Sequence, residues 1–278
     1  MSFDKLYFGT AGIPLSTKKP STATGVSRVR TLGLDAMELE FVHSVNLSPQ
    51  RAAEVKAVAS DEKVFLTCHA PYFVNLNAVE SYKIRSSVQN ILDAAVAANN
   101  AGAVSVTFHA GFYLKDSHEL VFAKIRKQME NILEELKGRG NKITLRPETT
   151  GKGSQFGSLE ELLSLCSQLD NCLPCIDFAH IHARSGGKMN SLEEFRAELA
   201  GCEKVLGKEF LKNLHCHVAG IAYTEKGERN HLDLKDSDLK YKELLQALKE
   251  FDCHGIIISE SPNIEGDALL MKKTFEGL

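Results

Sequence analysis

Histidines and carboxylates recur in this sequence at the ends of short apolar or β-branched runs. His69 ends Phe65-Leu66-Thr67-Cys68, His109 ends Ser105-Val106-Thr107-Phe108, and Glu148 follows Ile143-Thr144-Leu145-Arg146-Pro147. Asp177 and His180 lie at and just past the run beginning at Leu173, His215 and His217 close the next, and Glu260 closes the last. A lone histidine is ordinarily a hydrogen-bonded, partly exposed side chain, and that reading serves for His43, His118 and His254. A succession of runs ending in His, Asp or Glu is a different matter. If those ends converge, the carboxylates oppose one another's ionisation unless a cation neutralises them. A divalent metal does so while taking neutral imidazoles as donors. The mixed nitrogen and oxygen set favours Zn2+, accommodates Mn2+ or Fe2+, and suits magnesium or calcium poorly.

Something must bring these ends together. Candidate strands are Leu6–Thr10, Ala36–Phe41, Val64–His69, Val104–His109, Ile143–Glu148, Leu173–Asp177, Leu211–His217 and Gly255–Glu260. Each is followed by a segment long enough for a crossover helix, the pattern of a parallel sheet with covering helices. One such segment carries Val88, Ile91, Leu92, Ala95 and Val96, and another Ile125, Met129, Ile132, Leu133 and Leu136, both at helical spacing. Ser158 and Ser191, each followed by Leu-Glu-Glu, read as helix caps rather than nucleophiles. Gly138 to Gly140 and Gly201 read as helix exits, and Gly151-Lys152-Gly153 and Gly186-Gly187 as loops after strands. No Gly-Lys pair carries the Ser or Thr of a phosphate-binding Walker loop. The expected fold is α/β: a single (β/α)8 TIM barrel spanning residues 1–278, with its site at the C-terminal ends of the strands.

Composition is consistent with that fold. The chain has 278 residues, 43% hydrophobic and 25% charged, with no linker or low-complexity run. No apolar stretch approaches the roughly 18 residues of a membrane span, and the first twelve residues lack a signal-peptide pattern, so a cytoplasmic protein is expected. Seven cysteines without framework spacing suit a reducing compartment. Cys172-Leu173-Pro174-Cys175 reads as two buried structural thiols. The net charge of −3 is unlike that of most nucleic-acid binders. Three bound divalent ions would nevertheless add roughly +6, all in one cleft.

In order along the chain stand His69-Ala-Pro-Tyr72, Phe108-His109-Ala-Gly, Arg146-Pro-Glu148-Thr-Thr-Gly-Lys152 and Cys175-Ile-Asp177-Phe-Ala-His180. Leu214-His215-Cys-His217, Gly227-Glu228-Arg229-Asn230-His231 and Ser259-Glu260 follow. Over nearly the whole chain this series resembles the endonuclease IV family, in flavour its archaeal members. The resemblance implies a zinc-dependent endonuclease of base excision repair. It would hydrolyse the phosphodiester 5′ to abasic sites in double-stranded DNA, leaving a 3′-hydroxyl and a 5′-deoxyribose phosphate, with Glu148 and Glu260 catalytic. It further implies three zinc ions: one on His69, His109 and Glu148; a second on Glu148, Asp177, His215 and Glu260; a third on His180 and the segment around His231. There the family usually places an Asp two residues before a His, so Glu228 is taken as the substitute ligand, with Asp233 as the alternative. His182 and His217 would support ligands from behind. A divalent ion lowers the pKa of water towards about 7, so no protein nucleophile is needed. Tyr72 and Phe73 could stack in the gap left by the extruded abasic sugar, while Lys152, Arg184 and Arg229, together with Lys188 and Lys226, could grip phosphates.

The same fold also hosts sugar isomerases and epimerases of the xylose isomerase type, with Glu148 and Glu260 as ligands or bases around one or two metals; fold alone does not settle chemistry. A non-catalytic binder is disfavoured by so full a donor set. No protein partner and no membrane contact are implied.

Overall fold

The computed structural model describes residues 3–278. Eight parallel strands form the barrel wall: β1 (Leu6–Ala11), β2 (Ala36–Glu40), β3 (Phe65–His69), β4 (Ser105–Phe108), β5 (Thr144–Pro147), β6 (Ile176–Asp177), β7 (Leu214–Val218) and β8 (Gly255–Ser259). They are hydrogen-bonded in the order β5-β4-β3-β2-β1-β8-β7-β6. Parallel bridges Leu145–Cys172 and Glu148–Cys175 join β5 to the chain entering β6 and complete the ring. The expected fold class is the one observed.

The inward positions follow from strand alternation, because register partners in parallel strands share a face. Ala36 pairs with Phe65, Glu38 with Thr67 and Glu40 with His69; His69 pairs with Thr107, and Thr107 with Arg146. On the other side Asp177 pairs with His217, and His217 with Ile258. The lumen therefore changes character with height. Its floor is apolar, with Phe3, Ile256 and Ile258 packed against Tyr7, Phe65 and Val104. Thr67, Ser105 and His215 are buried polar residues of the wall, and Arg146 reaches back to Pro174 and Asn213 ahead of β6 and β7; acids and imidazoles gather at the C-terminal strand ends. Gly9 is required where β1 meets β2, since a Cβ there would lie 2.2 Å from the Ala36 carbonyl oxygen.

The outer layer buries the apolar stripes read from the sequence. Ile91, Leu92 and Ala95 are buried from the helix Ser81–Asn100, and Ile125, Met129, Ile132 and Leu136 from His118–Gly138. Ser158 and Ser191 start the helices Leu159–Cys166 and Leu192–Leu206 with full capping boxes to Glu161 and Glu194. The seven thiols are free and buried, Cys172 and Cys175 among them.

Three local expectations fail. β7 begins at Leu214 rather than Leu211, because Lys208–Leu211 forms a short helix first. Gly201 is no helix exit, since Leu192–Leu206 continues through it to Gly207. Two antiparallel strand pairs outside the barrel wall were not anticipated: Gly111–Phe112 with Gln155–Phe156, and the hairpin Gly220–Thr224 with Gly227–Leu232. No helix is long and apolar enough to cross a membrane among the described residues.

Candidate metal centre

Glu148, 1% exposed, stands at the middle of the barrel mouth. His69 Nδ1 donates to the Ala70 carbonyl at 2.6 Å, which turns Nε2 towards Glu148 Oε2 at 3.2 Å. His109 brings Nε2 to 3.4 Å from the same oxygen. Asp177 does two things at once. It caps the helix Phe178–Arg184 by accepting the His180 amide at 2.7 Å through Oδ1, and it leaves Oδ2 buried, 3.3 Å from His180 Nδ1. The cap thus fixes the carboxylate and the following imidazole together.

His180 Nε2 faces His231 Nε2 at 3.4 Å and Glu228 Oε2 at 3.6 Å. His231 lies three positions after Glu228, so in a regular strand they would face opposite ways. The hairpin solves this with a bulge: Tyr223 pairs with Glu228 and Ala222 with Asn230, leaving Arg229 as the extra residue. Both side chains then reach the pocket. Gly151 makes room for them, since a Cβ there would lie 2.6 Å from Glu228 Cβ and 3.1 Å from His180 Cδ2.

At the end of β7 the structure reverses the expected roles of two histidines. His217, not His215, joins Glu148, Asp177 and Glu260, its Nδ1 lying 3.2 Å from both Glu148 Oε1 and Glu260 Oε1. His215 sits one layer deeper, between Ser105 Oγ (3.2 Å) and Glu38 Oε2 (3.1 Å). Glu38, fully buried, also lies 3.0 Å from His217 Nε2 through Oε1. It was missed by the sequence reading, as was its neighbour Glu40, which lines the pocket beside His69 and Tyr72. The available signal was a pair of acids two residues apart in an otherwise apolar strand.

Ligand atoms gather into four groups that lie within 4.8 Å of one another: His69, His109 and Glu148; Glu148, Asp177, His217 and Glu260; Asp177, His180 and His231; and, deeper, Cys175, His215 and His217. Glu148 and Asp177 each belong to two of these groups. Buried Glu148 Oε2 and Asp177 Oδ2 lack hydrogen-bond partners, and the mixture of imidazole and carboxylate suits a borderline divalent ion. The residues fit metal.

Protonation shows the same tension. Burial opposes charge on His69, but the Glu148 carboxylate 3.2 Å away outweighs it and raises the imidazole to about 10. His180 also rises to about 10 against its burial, through Asp177 and Glu148. Burial would push Glu148 up, yet His217 and His109 hold it well below the usual carboxylate range. Burial and the Glu38 charge raise Glu40 to about 8. In the protein alone, protons on imidazoles do the neutralising that metal would do, so binding should release them.

Other expected site residues sit elsewhere. His182 touches no expected ligand. Its Nδ1 donates to the Lys188 carbonyl at 2.8 Å and its Nε2 faces Asp238 at 3.0 Å, which also accepts from Tyr223 on the hairpin. Arg184 is turned inward, donating to Thr150, Lys152 and Gln155, and its guanidinium braces the loop under the pocket instead of gripping phosphate. Arg229 and Lys226 are exposed on the hairpin outside the pocket lining, as is Lys188 in its loop. Asp233 accepts from the Asn263 amide and faces Lys235, away from His231. Tyr72 and Lys152 line the pocket of about 560 Å³. Tyr72 is 56% exposed at its rim, and Phe73, 67% exposed, stacks on His43.

Among known proteins, the chain is 44% identical over 273 residues, 98% of each sequence, to an uncharacterized protein of Methanocaldococcus jannaschii. Endonuclease IV from Thermus thermophilus superposes with a TM-score of 0.74 at 21% identity, covering 97% of this chain and 100% of that one. A D-tagatose 3-epimerase-like protein superposes with a TM-score of 0.73 at 20% identity, covering 96% of each. At such identities both likenesses speak for the fold alone. The family model described as xylose isomerase-like TIM barrel matches residues 26–276, and this chain belongs to that family.

Proposed function

We propose that the protein is a zinc-dependent endonuclease that hydrolyses the phosphodiester 5′ to abasic sites in double-stranded DNA, as a step of base excision repair. The observation that carries this reading is the sharing of Glu148 and Asp177 between neighbouring donor groups. Carboxylates that bridge ions build the multinuclear clamps used for in-line displacement at phosphorus, whereas an isomerase needs only the four-residue group. When bound, the ions would supply a water of lowered pKa and neutralise charge on the phosphate and the departing 3′-oxygen.

The chain's residues do the rest. Glu148, Asp177, His217 and Glu260 would hold the central position; His69 and His109 one flank; His180, His231 and Glu228 the other. Glu38 fixes which nitrogen His217 presents. Lys152, a lysine among the lining residues, would meet the scissile phosphate or its neighbour. Tyr72 and Phe73 offer exposed ring faces for bases beside the gap. The test is a duplex with one tetrahydrofuran abasic analogue, incubated with zinc-loaded protein beside undamaged and chelated controls. A single chelator-sensitive cut leaving a 3′-hydroxyl supports the reading.

One observation favours a second reading, a sugar isomerase or epimerase. Burial raises both Glu260 and Glu40 above the usual carboxylate range, Glu40 to about 8, so near neutral pH the pocket wall offers the Glu40 carboxyl as an acid to hydroxyl groups. That reading expects chelator-sensitive exchange of a ketose α-proton with solvent and no cut in the duplex.

A further inference from the structure

A second cavity, of about 400 Å³, opens on the outer face of the barrel between the helices Leu159–Cys166, Phe178–Arg184 and Leu192–Leu206. Leu159, Leu163, Ile181 and Met189 give it apolar walls. Among them lies Glu198, 6% exposed, with neither carboxylate oxygen hydrogen-bonded. Arg184 also borders the cavity, but its guanidinium is spent on the Thr150–Gln155 loop and the Tyr113 hydroxyl. Glu194, one turn before Glu198, is occupied by the amides of Met189, Asn190 and Ser191 and adds only like charge.

Two costs meet on this helix face. A buried carboxyl without a partner is unfavourable, charged or neutral. Gly201, almost one turn beyond Glu198, costs roughly 1 kcal/mol relative to alanine in a helix interior. Nothing lies within 4 Å of where its Cβ would be, so no close neighbour demands the glycine. What the glycine does is keep the space beside Glu198 open.

We propose that this cavity binds a small organic ammonium ion, its head on the Glu198 carboxylate and a short alkyl body against Leu159, Leu163, Ile181 and Met189. An anion would be repelled by Glu198 and Glu194. A metal ion would find a single side-chain ligand in an apolar setting. A neutral apolar molecule would leave the carboxyl unsatisfied.

The experiment is isothermal titration of the zinc-loaded protein with n-pentylammonium chloride at about pH 8, where the Glu198 carboxyl is about half ionised before the cation binds, with n-pentanol as the uncharged control. The expected result is saturable binding of one ion per chain, at least 10-fold weaker for pentanol and at least 10-fold weaker in Glu198→Gln. Gly201→Leu, which fills the space and keeps the carboxyl, should abolish it. Zinc content equal to wild type shows that each variant is folded. Absence of saturable binding to wild type overturns the proposal, as does equal binding by Glu198→Gln or equal binding of pentanol.

Discussion

Replacing Glu38 by glutamine isolates the part of the centre that lies behind the ligands. In the native protein one carboxylate lies 3.1 Å from His215 Nε2 and 3.0 Å from His217 Nε2, where nothing is exposed to water. In the protein alone His217 Nδ1 donates to Glu148 Oε1 at 3.2 Å; with metal on Nδ1 the remaining proton would sit on Nε2, beside the Glu38 carboxylate. Glutamine keeps the shape but has one acceptor and one donor. Its NH2 must then face an imidazole nitrogen that carries a proton, unless that ring moves its proton to Nδ1. For His217 such a shift removes the very lone pair a metal would use. Loss of a partner of this kind typically costs 10- to 100-fold in metal affinity, or about 1.4–2.7 kcal/mol. Competition with a chromophoric zinc chelator reads that loss for the tightest ion, and thermal melts in excess chelator read the effect on the fold. A Glu38→Gln affinity within twofold of wild type would refute the argument that Glu38 sets the tautomer of His217.

Other variants probe separate joints. Asp177→Asn keeps an acceptor for the His180 amide and should lose metal with little change in the apo-protein melt, whereas Asp177→Ala should also lose about 1 kcal/mol of stability, measured by denaturant titration. Gly151→Ala should displace Glu228, and elemental analysis should find fewer ions per chain while His69 and His109 keep theirs. Burial holds Glu198 up at about 8 in the folded protein, against an ordinary value near 4.5. The folded carboxyl therefore takes a proton more readily than the unfolded one, and its penalty grows as pH rises through that window and levels off above about 8. Glu198→Gln should gain stability over wild type progressively across that range, by up to a few kcal/mol, and a pH-independent difference in denaturation free energy would contradict this. Tyr72→Ala should weaken binding to abasic duplex by roughly 10-fold, as expected for loss of one stacking surface; unchanged affinity removes that role.

Strand ends were legible because they follow from local pattern: apolar runs of strand length, six in succession closing on His, Asp or Glu. The heights of those ends in the barrel were not, because height depends on register between strands distant in sequence. His215 and His217 share a face and lie ~6.6 Å apart along the strand. Only the pairing of His217 with Asp177 on one side and Ile258 on the other puts it, and not His215, in the ligand layer. Glu38 was hidden for the same reason, since nothing near it in sequence reveals the two histidines it meets. The Glu228–His231 spacing looked like a defect until the bulge at Arg229 aligned the two side chains. Arg184 read as a surface cation because sequence shows the charge but not the carbonyls of residues 152 and 155 that turn it inward. Gly201 misled in another way: a glycine inside a helix gives the same local signal as one at its end, and only the open space around it tells the two apart.

The most direct test of the central claim is the number of divalent ions per chain, measured by elemental analysis of the purified, zinc-equilibrated protein after removal of weakly bound metal. Donor groups joined through Glu148 and Asp177 predict two or three ions, with Glu148→Gln losing more than one of them together. A single ion per chain in wild type would contradict the shared-carboxylate centre and, with it, the phosphodiesterase reading built upon it.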